Sequence, residues 1–273
     1  ESDVYKIHLV IITVLADSEP CKNIFSYALM RDENGEDMHK SKGNSIWFED
    51  AAEEMGVDAM RWQFARQNPA TNLNFGFGTA DEVRRQFLIP LWNVYSFFVT
   101  YANIDEFDPR AEIPLVSERT ELDRWILSEL NTLIREVTRA LESFEPENVT
   151  REVEQFTEYL SNWYIRRSRR RFWKSGLLSD SSKDSNHDKL SAYSTLYETL
   201  VTLTKLLAPV VPFITESIYQ NLVTSQSLGE ESVHLEEYPV TDQNILEKEL
   251  SERTHLAMRL SSICLLYTSD AAD

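Results

Sequence analysis

The 273 residues contain only two cysteines, Cys21 and Cys264. Their spacing suits neither a metal site nor a disulfide framework, which fits a reducing, cytoplasmic setting. No run of about 18 uncharged apolar residues occurs, so no membrane span and no membrane partner are expected. The best candidate, 7–15, is too short and reads as a buried strand or helix. No secretory signal stands at the start. The opening Glu1-Ser2-Asp3 lacks an initiator methionine, as expected of a piece of a longer protein. Positive charge is scarce: 27 Lys and Arg stand against 45 Asp and Glu, a net of −18. A protein gripping nucleic acid over its whole surface would be basic, so any RNA contact has to be local. No nucleophile triad, metal cluster or internal repeat is present. His8, His187, His234 and His255 are scattered and read as structural or surface residues.

What is present is globular. Apolar residues make up 42% and charged residues 26%, enough for a sizeable core. The length allows one or two domains. Residues 22–30 read as a short strand, followed by an Asn34-Gly35 hairpin turn. Helical patterns cover 47–55, stopped by Gly56, and 57–66, and 68–78 is an Asn/Gly/Pro-rich loop. From Asp81 onward the pattern is helical, with a connector over 105–117. Thr120-Glu121-Leu122-Asp123 is a capping-box pattern. Behind it Ile126, Leu130, Leu133, Val137, Leu141 and Phe144 recur in steps of three and four, one buried stripe. Pro146 suits a first helical turn, and Val149, Val153, Phe156, Leu160 and Trp163 repeat the stripe. Further helices are expected over 190–207, broken by Pro209 and Pro212, then over 214–222, and from 244 onward. Residues 233–240 read as extended. The second part is therefore expected to be four or five antiparallel helices around one core.

Two segments carry chemistry. In Met38-His39-Lys40-Ser41-Lys42-Gly43-Asn44, two lysines flank a serine and a glycine follows. Ammonium groups bind phosphate, the hydroxyl and backbone N–H groups add donors, and Gly43 permits close approach. Such a loop suits a nucleoside triphosphate, although the same composition also suits a solvated surface loop. The second segment, 161–175, holds Arg166, Arg167, Arg169, Arg170, Arg171 and Lys174 without a single acid. Phosphate contact is one reading, with Trp163, Tyr164, Phe172 and Trp173 for packing or stacking. Pairing of several arginines with Glu152, Glu154 or Glu198 on neighbouring helices is the other.

Asp37-Met38-His39-Lys40-Ser41-Lys42-Gly43-Asn44 resembles the second signature loop of class I aminoacyl-tRNA synthetases, Lys-Met-Ser-Lys-Ser followed by x-Gly-Asn. Met38, Lys40, Ser41, Gly43 and Asn44 match, whereas Asp37 replaces the first lysine and His39 the first serine. Leu91-Trp92-Asn93-Val94-Tyr95-Ser96-Phe97-Phe98, Leu122-Asp123-Arg124-Trp125 and, most specifically, residues 160–173 resemble the isoleucyl branch. The likeness covers roughly 20–260. The family's His-Ile-Gly-His signature has no counterpart here, nor do the zinc-binding cysteines of some relatives.

The resemblance implies a mainly α chain. Residues 1–80 would be the C-terminal remnant of a Rossmann-type catalytic domain, and 81–263 an antiparallel helical-bundle anticodon-binding domain. It implies ATP as substrate with Mg, and tRNA and isoleucine as partners of a cytoplasmic, monomeric ligase. Lys40 and Ser41 would act in catalysis, with His39, Lys40, Ser41, Lys42, Gly43 and Asn44 around ATP. Arg166, Arg167, Arg169, Arg170, Arg171 and Lys174 would contact tRNA. The chain alone is expected to be inactive in ligation. A valyl or leucyl relative, or a non-catalytic tRNA-binding module, is the alternative. Residues 264–273 read as a translated sequencing-library adapter, an artefact to be excluded from fold reasoning.

Overall fold

The structure is a computed structural model. It describes residues 2–17, 21–23, 25–173 and 183–270, with side chains over 9–17, 21–23, 25–173 and 186–264. The first part runs α1 (Ser2–Ala16), β1 (Met30–Arg31), a 3-10 turn (Lys40–Lys42), α2 (Phe48–Glu54), α3 (Val57–Arg66) and β2 (Leu73–Asn74). The Asn-Gly turn forms as expected. Asp32 Oδ1 accepts the Asn34 and Glu36 backbone N–H groups at 3.0 and 2.9 Å, and Gly35 adopts φ 80°. The strand expected over 22–30 shrinks to β1, and the loop expected over 68–78 holds β2, its parallel partner. A pairing so distant in sequence leaves no local alternation to read. Residues 7–15 are helical within α1, and from residue 9 on none of them is buried. Val10, Val14 and Leu15 are 62, 75 and 80% exposed, and neither core cluster includes an α1 side chain.

The helical part begins with α4 (Phe77–Val83), a wide π turn (Arg84–Leu88) and α5 (Ile89–Ile104) in one continuous run. Residue 81 thus lies inside a helix. By length and composition alone this run could cross a membrane. Its Val83, Phe87, Leu91, Val94 and Phe98, however, are buried in the main core. Pro90 has no N–H for the carbonyl four residues back, and the wide turn falls immediately before it.

Next come α6 (Glu121–Glu142), α7 (Pro146–Glu158), a second π stretch (Tyr159–Ile165), α8 (Arg166–Trp173), α9 (Lys183–Leu207), α10 (Pro212–Leu222) and α11 (Lys248–Asp270). The α6 stripe is buried through Val137, but α6 ends at Glu142 and Phe144 turns out to solvent at φ 59°. Of residues 233–240, expected to be extended, Val233–Leu235 form a 3-10 turn and Glu236 is extended, and the last helix starts at Lys248. The second π stretch follows from the spacing of buried residues. Phe156, Leu160, Tyr164, Ser168 and Phe172 are buried at every fourth position. In a regular α-helix each such step drifts by roughly 40° around the axis. A wider turn absorbs the drift and keeps both helices on one core. α9 is buried on nearly every face. Two of its buried hydroxyls bond within the helix, Ser191 to the His187 carbonyl at 2.8 Å and Thr199 to that of Thr195 at 2.7 Å.

The two parts share this core through α3. Trp62 is fully buried, stacks on Phe87 at 3.8 Å between ring centroids and donates to Glu154 at 3.0 Å. Arg61 donates to the Pro209 and Val210 carbonyls, both at 2.8 Å, beyond the end of α9. Asp58 accepts the Phe213 and Ile214 N–H groups that open α10, at 3.3 and 2.6 Å. Burial raises the Asp58 pKa, opposed by these two hydrogen bonds.

Candidate nucleotide loop and nucleic-acid interface

The loop is held by Asn44. Its Oδ1 accepts the His39 N–H at 2.9 Å, and its Nδ2 donates to Asp32 Oδ2 at 2.8 Å and to the Asp37 carbonyl at 3.2 Å. The hydrogen bond from Asn44 Nδ2, with that from the backbone N–H of Glu36, lowers the Asp32 pKa. Met38 and Ile46 anchor the loop on a small cluster of Ala51, Met55, Met60, Phe75 and Ala80. Gly43 closes the turn at φ 72°, a conformation a side chain would strain. His39, Lys40, Ser41 and Lys42 are exposed along the top. Lys40 lies over the Trp47 ring, its Nζ 4.4 Å from the centroid. Asp37, which departs from the signature, pairs with Arg31 at 3.4 Å. The six residues expected around ATP therefore form one compact hairpin-borne loop with its cationic side outward.

The donor set does not suit a protein-ligated Mg ion. Asp32 is taken by Asn44, Asp37 by Arg31 and Glu33 by the Gly78 and Thr79 N–H groups, and the side chains of 38–44 are cationic or neutral. A hard dication seeks carboxylates and phosphate oxygens, so here it would have to arrive on a triphosphate.

On α8 the arginines divide by angle around the helix. Arg166, Arg169 and Arg170 are exposed and pair with no acid among the described residues. Arg167 lies over the Trp163 ring, its Cζ 3.0 Å from the centroid. Burial, then the charge of Arg166, lowers its pKa. Arg171 points the other way. It falls seven residues after buried Tyr164, on the inner face, and its side chain is 11% exposed. It makes two 2.7 Å bonds to Asp123, one of 2.8 Å to the Asp188 carbonyl, and an ion pair with the Asp188 carboxylate. Burial would lower its pKa, but the Asp123 carboxylate outweighs that and raises it. Arg171 is thus a structural residue, its donors taken inside the protein. The acids expected to pair with the run serve elsewhere: Glu152 holds Arg151, Glu154 holds Arg66, and Glu198 holds Arg119. Lys174 lies outside the described residues.

Sequence reasoning treated Asp123 as a capping residue and missed its larger role. It is fully buried and also accepts the hydroxyls of Tyr164 and Thr120, both at 2.7 Å. The Tyr164 pKa rises far above its ordinary value through burial and then the Asp123 charge. A signal did exist. Asp123 extends the apolar stripe of Ile126 and Leu130 backward by three, and an acid on a buried face requires a cation. A second anchor lies nearby, where Lys189 meets Asp105 at 2.6 Å, both side chains buried, and Tyr193 donates to the same carboxylate.

Residues 123–264 match the family described as the anticodon-binding domain of tRNA ligase. Residues 4–76 match class I tRNA synthetases of the I, L, M and V group. An isoleucine–tRNA ligase of Dehalococcoides mccartyi strain CBDB1 is 47% identical over 98% of this chain and 26% of its own length. Those of Porphyromonas gingivalis and Clostridium acetobutylicum are each 40% identical, over 93 and 92% of this chain and 22 and 24% of their own. The chain thus spans about a quarter of the length of these curated relatives. A solved ternary complex of Agrobacterium radiobacter K84 LeuRS, tRNA and LeuAMS matches 87% of this chain and 26% of that chain with a TM-score of 0.62. At 18% identity this speaks for the fold alone. The chain belongs to the class I tRNA synthetases and, over most of its helical part, to their anticodon-binding domain family.

Proposed function

We propose that this chain is part of an isoleucine–tRNA ligase. The complete enzyme joins isoleucine to ATP, giving isoleucyl-adenylate and pyrophosphate, then transfers the acyl group to the terminal ribose of tRNA. The observation that carries the reading is one chain bearing both the Lys40 loop and the outward arginines of α8, alike to isoleucine–tRNA ligases over nearly its whole length. In this reading Lys40 leaves the Trp47 face and sets its charge against the phosphates as pyrophosphate departs. Stabilising charge that develops only in the transition state raises the rate rather than the affinity. Ser41 and the exposed turn add donors, Lys42 adds charge beside the lost first lysine, and Asn44 holds the turn in shape. Arg166, Arg167, Arg169 and Arg170 meet tRNA phosphates.

The exposed apolar side chains of α1 and the two-stranded parallel ladder support a larger catalytic unit in the intact enzyme, since parallel strands are normally covered on both faces. The chain alone is expected not to activate amino acids. The test is to titrate the purified chain with tRNA carrying an isoleucine anticodon and to assay ATP–pyrophosphate exchange. Salt-sensitive tRNA binding without exchange is expected. Exchange above background, or no tRNA binding at low salt, would overturn the proposal.

A further inference from the structure

Among the groups that hold the Lys40 loop, Glu33 reaches furthest along the chain. It follows Asp32, whose carboxylate takes Asn44, and precedes the Asn34-Gly35 turn. Its side chain crosses to the start of α4, where Oε1 accepts the backbone N–H groups of Gly78 at 2.5 Å and Thr79 at 3.2 Å. Donors in a first helical turn have no helical carbonyl to bond, and a carboxylate is favoured beside them. Gly76, at the N-cap, has no side chain to serve them. The backbone leaves room for Glu33 instead. A Cβ on Gly76 would stand 2.0 Å from Glu33 Cγ, and one on Gly78 2.9 Å from Oε1. Glycine at 76 is what admits the seated side chain. The contact spans the two parts of the chain. α4 continues through the wide turn into α5, and this run carries Val83, Phe87, Leu91, Val94 and Phe98 into the main core. Two consecutive acids therefore join the loop to the helical part. Asp32 grips the loop through Asn44, and Glu33 grips the first turn of the run. Lys40 is exposed on the loop that this hairpin carries, so where the hairpin sits sets what Lys40 can reach.

We propose that Glu33 is a positioning residue for Lys40: seated over Gly76 and Gly78, it fixes the hairpin on the helical run where Lys40 reaches the phosphates. The inference rests on the reading that Lys40 stabilises the departing pyrophosphate, and it adds a residue outside the signature loop. The test is ATP–pyrophosphate exchange with isoleucine by the complete enzyme, with the rate expressed per active site. Glu33→Ala should lower kcat about 10- to 100-fold, as for a group displaced by about an ångström, with the KM for ATP nearly unchanged. Glu33→Gln keeps the accepting oxygen and should recover most of the rate. Gly76→Ala expels the Glu33 side chain, so it should match Glu33→Ala, and the two together should be no slower than either. In a Lys40→Ala background Glu33→Ala should cause no further loss, because the group it positions is gone. Glu33 is exposed, so the fold does not depend on its burial, and far-UV circular dichroism checks that each variant is folded. An equal loss from Glu33→Ala with and without Lys40, or full activity of Glu33→Ala, overturns the positioning role and leaves the loop reading standing. A Lys40→Ala enzyme as fast as the wild type overturns the loop reading and this inference with it.

Discussion

Replacing Asp123 by asparagine should destabilise the fold more than most single changes. The carboxylate is fully buried, takes two bonds from Arg171 and one each from Tyr164 and Thr120, and joins the start of α6 to α8. Asparagine retains one acceptor oxygen but turns an amide donor toward the guanidinium. Arg171 would then be a nearly buried cation with half its pairing gone. Breaking one side of a buried pair in this way costs about 3–5 kcal/mol. For a chain of this size that lowers the melting temperature by on the order of 10 °C. Urea unfolding followed by far-UV circular dichroism measures the loss as a fall in midpoint with unchanged slope. The double change Asp123→Leu with Arg171→Met should lose less than the single one, because no charge is stranded. A loss below about 1 kcal/mol for Asp123→Asn would refute the claim that this carboxylate holds α8 in place.

Two further outcomes follow from the geometry. Gly56→Ala meets no neighbouring atom but must hold φ 83°, so it should cost about 1–2 kcal/mol from backbone strain alone, read by thermal unfolding. Asp32 should titrate below its ordinary 3.8 and return toward it in Asn44→Ala, measured by carboxyl NMR. Because the folded value is the lower one, this carboxylate supports the loop above pH 3.8, and the support is lost as pH falls through the folded value.

Much of the helical part was legible because its stripes are local. Ile126, Leu130, Leu133 and Val137 lie on one face by spacing alone, and Thr120, Gly56 and Pro146 mark ends by chemistry that acts within one turn. The pairing of β1 with β2 was not legible, since it depends on partners far apart in sequence. Nor was the exposure of Val10, Ile11, Ile12, Val14 and Leu15 on α1, whose apolar character signals burial. The loop's residues could be named from their order, but the clasp of Asn44 on Asp32 and the resting place of Lys40 on Trp47 required the fold. The arginine run was visible as charge. Its division into outward residues and the inward Arg171 follows from the buried four-residue repeat and the π stretch, which composition does not express.

The most direct measurement is ATP–pyrophosphate exchange by the complete enzyme that contains this chain, with isoleucine, valine, leucine and methionine in turn, in wild type and Lys40→Ala. Exchange with isoleucine that falls about 100- to 1,000-fold in Lys40→Ala is the expected result, the size typical of losing one transition-state charge contact. Exchange with valine or leucine instead, or an isoleucine rate that Lys40→Ala leaves unchanged, would contradict it.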